Sequence, residues 1–224
     1  MAEMDELEAA RKILSVNEKH ARDNGRLLAE HGVFCLNLVS SPGSGKTTIL
    51  TRTIEQTRGC VRAGVIEGDI ATDIDAERIR ATAVPVVQIN THGACHLSAD
   101  QVGEALEKLP LAELDAVFIE NVGNLVCPAA FELGEAAKVA ILSVAEGHDK
   151  VAKYPAVFAR AKVLLINKID LLGPAVDFDV GFVRRSASRL NRSIRTFAVS
   201  AKTGEGVDRW CRWIEERVKE SKAG

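Results

Sequence analysis

Apolar residues follow two rhythms along this chain. Up to about residue 30 they are sparse, with Leu7, Ala10, Leu14, Leu27 and Leu28 set in a charged, alanine-rich background. That spacing predicts a helix from residue 3 to about 30, broken or kinked at Asn24-Gly25. From residue 33 the rhythm changes. Seven short apolar runs, 33–39, 61–66, 84–89, 115–119, 139–144, 162–166 and 195–199, read as strands. Most lack polar alternation, as strands covered on both faces do. Between them, candidate helices fall at 46–57, 72–81, 99–108, 129–136, 147–159, 178–192 and 206–220. Residues 171–179, LLGPAVDFD, are the clearest loop. The alternation predicts an α/β fold with a mostly parallel seven-stranded sheet flanked by helices. The expected division is a helical extension over 1–30 and one α/β domain over 31–224.

Composition changes this picture little. A chain of 224 residues, 46% hydrophobic, has room for one α/β domain and a sizeable core. A net charge of -2 gives no overall pull toward nucleic acid or anionic membrane. The basic run of Arg184, Arg185, Arg189, Arg192 and Arg195 is read as the solvent face of a helix, with an RNA-associated role as the rival reading. No targeting segment and no long apolar run is visible, so a cytoplasmic protein without membrane contact is expected. Five cysteines in that compartment argue against a disulfide framework.

The strongest chemical signal is SSPGSGKTTIL at 40–50, between a strand and a helix. Small residues and glycines let successive backbone N–H groups converge on phosphate oxygens, and the helix N-terminus adds its dipole. Ser41, Gly43, Ser44, Gly45 and Thr48 belong to this P-loop. Lys46 is placed to reach the β and γ phosphates, and Thr47 to bind Mg²⁺. Ser40 stands where the motif's first glycine is usual.

A second element, Asn167-Lys168-Ile169-Asp170, follows a predicted strand. A carboxylate at Asp170 accepts from guanine N1–H and the exocyclic amine, a donor pattern adenine does not offer. The Lys168 stem packs along the base and Asn167 braces the loop. Ser200-Ala201-Lys202 follows the last strand as a second guanine loop. Together these predict GTP rather than ATP.

Two polar stretches are candidate switches. Glu67 to Asp75 is read as directly following the second strand, with Asp69, Asp73 and Asp75 as candidates for holding Mg²⁺ or positioning water. Glu120 to Pro128 follows the fourth strand. Glu120 sits where an acid contacts Mg²⁺, and the Gly123 N–H is placed to meet the γ phosphate. No glutamine follows, so slow GTP hydrolysis to GDP and phosphate is expected.

Cys35 and Cys211 read as core or half-buried thiols, and Cys60, less clearly, as structural too. Cys95 and Cys127 lie in polar loops, and Cys95 adjoins His96. Two thiols and an imidazole are donors suited to Ni²⁺ or Zn²⁺. His92 is an alternative ligand. Three ligands leave a four-coordinate set short by one, which a two-fold dimer would complete.

With these residues in hand, the chain resembles the HypB-type nickel-incorporation GTPases of NiFe-hydrogenase maturation. The resemblance covers residues 33 to about 215. It rests on the P-loop, EGDIATDIDAERI at 67–79, NTHGACHL at 90–97, ENVGNLVCP at 120–128, NKID and SAK. The Cys-Pro-His motif of the related urease accessory GTPases is absent. The resemblance implies a SIMIBI-type P-loop domain and a homodimer dependent on nucleotide or metal. It implies that Cys95, His96 and Cys127 bind nickel or zinc at that dimer's interface. Asp75 and Lys153 are implied near the interface, Lys153 as a candidate for contact across it to nucleotide or switch acids. It further implies a zinc-containing nickel chaperone of the HypA type as partner and the hydrogenase large-subunit precursor as client. The family's amino-terminal cysteine-rich motif and histidine-rich stretch are missing here, so delivery rather than storage is expected.

Overall fold

The structure, a computed structural model, describes residues 2–69 and 74–223, with side chains for 12–68 and 75–223. Seven strands form one sheet: β1 (Phe34–Ser40), β2 (Ala63–Asp69), β3 (Val86–Asn90), β4 (Ala116–Glu120), β5 (Ala137–Ser143), β6 (Val163–Asn167) and β7 (Arg195–Ala198). Their order is β3-β2-β4-β1-β5-β6-β7, and every pairing is parallel. The helices are α1 (Ala2–Glu30), α2 (Lys46–Thr57), α3 (Ile74–Arg80), α4 (Ala99–Leu106), α5 (Cys127–Ala130), α6 (Lys150–Lys153), α7 (Pro155–Arg160), α8 (Val180–Leu190) and α9 (Val207–Ala223).

β1 shows why the strands read as unbroken apolar runs. All seven of its residues are buried. Phe34, Leu36 and Leu38 pack with Ile49, Leu50, Ile54 and Trp210, while Cys35 packs among Leu28, Leu97 and Leu106. Side chains alternate between two covered faces, so both sets are mainly apolar, with Asn37 and Ser40 as buried polar members. Trp210 donates to Thr53 Oγ1 at 2.9 Å, fastening α9 to α2, and stacks on Trp213 of its own helix. The neighbours of β1 are β4 on one side and β5 on the other. A crevice opens at the carboxyl ends where the winding reverses, the usual ligand position in such sheets.

Four local expectations are corrected. α1 is not broken at Asn24-Gly25. Asn24 is buried and donates to the carbonyls of Ala99 and Leu133, and Gly25 lies against Gly134. The polar pair is a packing contact rather than a turn. β2 runs through Asp69, so Glu67 and Gly68 lie within the strand and Glu67 sits in register with Glu120. The helix expected at 129–136 is only the single turn α5, starting at Cys127. Beyond it, Lys138, Asn17 and Asn24 donate to the carbonyls of Phe131, Glu132 and Leu133, replacing a helical ladder. The helix expected at 147–159 is two pieces. Tyr154 precedes Pro155 and leaves the helical region (φ -126, ψ 56), and Pro155 opens α7.

Asn17 and Asn24 tie α1 to the start of α4, where Asn17 also accepts from the Ala99 N–H at 2.8 Å. Leu7 and Ala10, two apolar positions expected on this helix, fall outside the described side chains. Among the described residues no helix is long and apolar enough to cross a membrane.

Candidate nucleotide and metal site

The P-loop leaves β1 at Ser40 and enters α2 at Lys46. Gly43 and Gly45 both have left-handed backbone (φ 74 and 90). A Cβ at Gly45 would also stand 2.6 Å from Asn167 Nδ2, so glycine is required twice over. The loop, α2, β2 and β4 bound a cleft of about 500 Å³ lined by Ser41, Lys46, Thr47, Thr48, Asp75 and Gly123, among others. Lys46 Nζ lies 3.3 Å from Glu120 Oε1, and Thr47 donates to that same oxygen at 2.7 Å.

The base-recognition elements brace this loop from behind. Asn167 Nδ2 donates to the Ser44 carbonyl at 2.8 Å, and Lys168 Nζ to the Gly43 carbonyl at 2.7 Å. Lys168 is held in left-handed backbone (φ 63). Asn167 Oδ1 accepts from the Ala201 N–H, and Ser200 donates to Asp170 Oδ1 at 2.6 Å. Lys202 is exposed, and its carbonyl accepts from Arg52. The N-K-x-D and S-A-K loops thus form one bonded unit beside the phosphate loop.

On the acidic side of the cleft, Glu120 is buried, and burial raises its pKa against the opposing pull of Lys46 and Thr47. Its Oε2 has no hydrogen-bond partner among the described residues. A hydroxyl and a carboxylate together, with an oxygen to spare, are hard donors of the kind Mg²⁺ takes, so the residues fit that ion. Asp75 is half-buried, 3.3 Å from Arg78, and close enough to raise the Glu120 pKa further. Gly123 approaches Pro42 of the P-loop, where a Cβ would meet Pro42 Cγ at 3.1 Å.

The loop that begins at Glu120 continues to the thiols. Cys95, His96 and Cys127 bring their donor atoms within 4.8 Å of one another. Cys95 Sγ lies 3.5 Å from His96 Nδ1, and the His96 ring lies against Phe131 with centroids 3.9 Å apart. Asn124 joins the two loops, donating to the Cys95 carbonyl and accepting from the Val126 N–H. The neighbouring Cys127 thiol and burial raise the Cys95 pKa, while burial lowers that of His96. A neutral imidazole with two soft sulfurs fits Ni²⁺ or Zn²⁺. Cys95 is exposed, which leaves the open side of the triad accessible.

Not every expected residue joins these sites. His92 is exposed, with left-handed backbone (φ 49), and is not part of the thiol cluster. Lys153 is 63% exposed, pairs with Asp149 and does not line the cleft of its own chain. The side chain of Asp69 and all of Asp73 lie outside the described residues. The arginine run lies exposed along α8 and into β7. Cys35 and Cys211 are buried, and Cys60 is exposed.

Sequence reasoning missed four residues. Glu67 and Arg78 line the cleft, and Arg78 also donates to Thr48 Oγ1 at 3.3 Å. Arg78 was legible as the i+3 partner of Asp75 on α3. Asn121 and Asn124 organise the second switch, and nothing in a short polar run distinguishes them in advance.

A phosphate loop, a guanine-type N-K-x-D loop and a seven-stranded parallel sheet define a P-loop GTPase of the SIMIBI type. Residues 34–197 match the family model described as CobW/HypB/UreG, nucleotide-binding domain. The chain belongs to the HypB family of hydrogenase maturation factors. The hydrogenase maturation factor HypB of Azotobacter vinelandii is 56% identical over 205 residues, covering 92% of this chain and 67% of that one. The structure of HypB from Helicobacter pylori in complex with nickel aligns at TM-score 0.86 and 36% identity, covering 92% of this chain and 96% of that one. HypB from Archaeoglobus fulgidus aligns at TM-score 0.84 and 35% identity, covering 91% and 99%.

Proposed function

We propose that this GTPase is a metallochaperone that carries nickel on Cys95, His96 and Cys127 and delivers it to the NiFe-hydrogenase precursor under control of its nucleotide. One observation carries the reading. The segment from Glu120 to Cys127 touches the nucleotide cleft at Gly123 and ends in a ligand of the thiol cluster. Phosphate state and metal site therefore share one short loop.

For hydrolysis, the amides of Ser41 to Thr48 and the Lys46 ammonium bind the phosphates and face the charge that develops on them. Mg²⁺, when bound, supplies further charge neutralisation on the phosphates, with Thr47, Glu120 and Asp75 as the residues that would hold it. One aspartate among Asp69, Asp73 and Asp75 orients the attacking water, and the Gly123 N–H meets the γ phosphate. Asp170 reads guanine, assisted by Asn167, Lys168, Ser200, Ala201 and Lys202. Without a glutamine in the second switch, turnover is slow.

Three protein donors leave one position for a fourth ligand, and the exposure of Cys95 supports closure by a second copy of the chain. In that homodimer Lys153 reaches the partner's nucleotide or switch acids. Residues 1–30 act as a helical extension of the GTPase domain over 31–224. A HypA-type zinc-containing chaperone exchanges nickel with the site, in the cytoplasm.

The test is calorimetric titration of metal-free protein with nickel and zinc, once with GDP and once with a non-hydrolysable GTP analogue, with mass followed by light scattering. Affinity that differs between nucleotides and vanishes in C95A and C127A is the expected result. Weak binding indifferent to nucleotide and to both substitutions would overturn the reading.

A further inference from the structure

A chain of buried polar side chains runs beneath both sites. Asn121 follows Glu120 directly, is 1% exposed and accepts at Oδ1 from two backbone amides, Val122 at 3.0 Å and Leu97 at 3.2 Å. The first amide belongs to the switch, and the second follows His96. Asn121 Nδ2 donates to Asn37 Oδ1 at 3.2 Å, in the middle of β1. Asn37, fully buried, donates in turn to Glu135 Oε1 at 3.0 Å. Glu135 has a side chain 1% exposed and pairs at 3.5 Å with Lys138, whose side chain is 2% exposed. Lys138 Nζ then donates to the carbonyls of Pro128 at 3.1 Å and Phe131 at 3.2 Å, with Glu132 as a further partner. Pro128 follows Cys127, and the Phe131 ring packs on His96.

Buried charges and amides in a sheet core are costly unless every member is bonded, and apolar residues of similar volume would pack there at least as stably. Such a network is informative because of what it joins. One end holds the first residues of the switch and the backbone beside His96. The other end holds the backbone within α5, at Pro128 next to Cys127, and just beyond it, at Phe131. The hydrogen bonds link parts whose spacing must change together if either is to move.

We propose that Asn121, Asn37, Glu135 and Lys138 are positioning residues that couple the nucleotide switch to the geometry of the Cys95–His96–Cys127 site. This inference rests on the metallochaperone reading and adds to it the internal route by which one site senses the other. A shift of residues 121–123 toward a γ phosphate pulls Asn121 Oδ1 away from the Leu97 amide, and its other arm draws on Asn37 and the Lys138 anchor. The ligands on the two loops then separate or close. Equilibrium coupling of this sort is reciprocal, so metal also shifts nucleotide affinity by the same factor.

The experiment measures zinc and nickel affinity of the full chain without nucleotide, with GDP and with a non-hydrolysable GTP analogue. It compares wild type with Asn37→Leu and with the paired variant Glu135→Gln/Lys138→Met, which removes both buried charges together. Wild type is expected to show a ratio between nucleotide states of about 5-fold or more, within the usual range for coupled sites. In both variants that ratio falls to about 1, while affinity without nucleotide changes by less than about 3-fold. A purely structural network would weaken all three states alike and leave the ratio, and that result overturns the proposal. Should one variant not fold, the other reads the same ratio. If wild type itself shows no ratio, the metallochaperone reading falls with this one. If wild type shows it and the folded variants keep it, only the network's role is lost.

Discussion

Asn124 holds Cys95 from across the second switch, donating from Nδ2 to its backbone carbonyl at 3.2 Å while its own Oδ1 accepts from the Val126 N–H. The bond to Cys95 ties the two thiol-bearing loops next to the metal donors, beside the Asn121–Leu97 bond further along. Replacing Asn124 by alanine removes both of its bonds and leaves all three metal donors in place. Loss of such supporting bonds costs about 10-fold or more in metal affinity. Competition with a chromophoric chelator should show that loss in N124A for zinc, with affinity for GDP, which does not engage the γ-phosphate switch, unchanged. Unchanged zinc affinity would mean that the loops are spaced by other contacts.

Asp170 receives the Ser200 hydroxyl at 2.6 Å and keeps acceptor capacity on its second oxygen. An amide at this position offers a donor where guanine also has donors, and it matches the carbonyl of xanthine instead. Asp170→Asn should lose about 100-fold or more in GTP affinity, as when a polar site meets a mismatched partner, and gain affinity for xanthosine triphosphate. Fluorescent nucleotide titration with both bases checks this. Equal losses for both would argue that the loop is misfolded rather than re-specified.

The cysteines should separate by reactivity. Burial raises the Cys35 thiol well above its ordinary pKa, with Glu135 adding to the shift, and burial pushes Cys211 to about 12. Neither forms thiolate at neutral pH, so neither reacts. Ellman's reagent at pH 7.5 should modify Cys60, Cys95 and Cys127 in native metal-free protein. Zinc should protect the last two and leave Cys60 reactive. Protection of none of them would count against the metal site.

Asp115 gives a pH signature of stability. It accepts from Arg62 at Nη2 (2.6 Å), Nε (3.0 Å) and the backbone N–H (2.8 Å), and pairs with Lys222 at 2.6 Å near the end of α9. Burial alone would raise its pKa, but the bonds from Arg62 and Lys222 outweigh burial and hold it below the usual carboxylate range. A folded value below the unfolded one means the contribution is complete above about pH 4 and lost as pH falls through the folded value. Both cations are substantially exposed, so water screens them and the contribution is about 1 kcal/mol. Asp115→Asn should lower the Tm at pH 7 by about 2–4 °C. That difference should shrink toward pH 2. A gap between the variants that is constant from pH 7 to pH 2 would exclude this linkage.

Much of the architecture was legible because its signals are local. The buried strand runs, the P-loop between strand and helix, and N-K-x-D after a strand each depend on a few adjacent residues. Failures occurred where distant groups intervened. Asn24-Gly25 reads as a helix break on propensity, yet Asn24 is satisfied by carbonyls 75 and 109 residues away, and the helix continues. Residues 129–136 have helical composition, but Lys138, Asn17 and Asn24 take their carbonyls before a helix can. Tyr154 was the exception, since the proline after it already forbade one continuous helix.

Residue chemistry at short spacing was enough to read the fold class, the guanine-type N-K-x-D loop and the candidate metal donors. Tertiary structure decided which donors meet. Cys95 and Cys127 are 32 residues apart, and only the parallel register of β3, β2 and β4 carries their loops to the same end of the sheet. It also decided that Asn37 and Asn121, unremarkable in a strand and a loop, bond to one another. Contacts of this kind depend on where whole strands lie, and no local pattern of side chains encodes that.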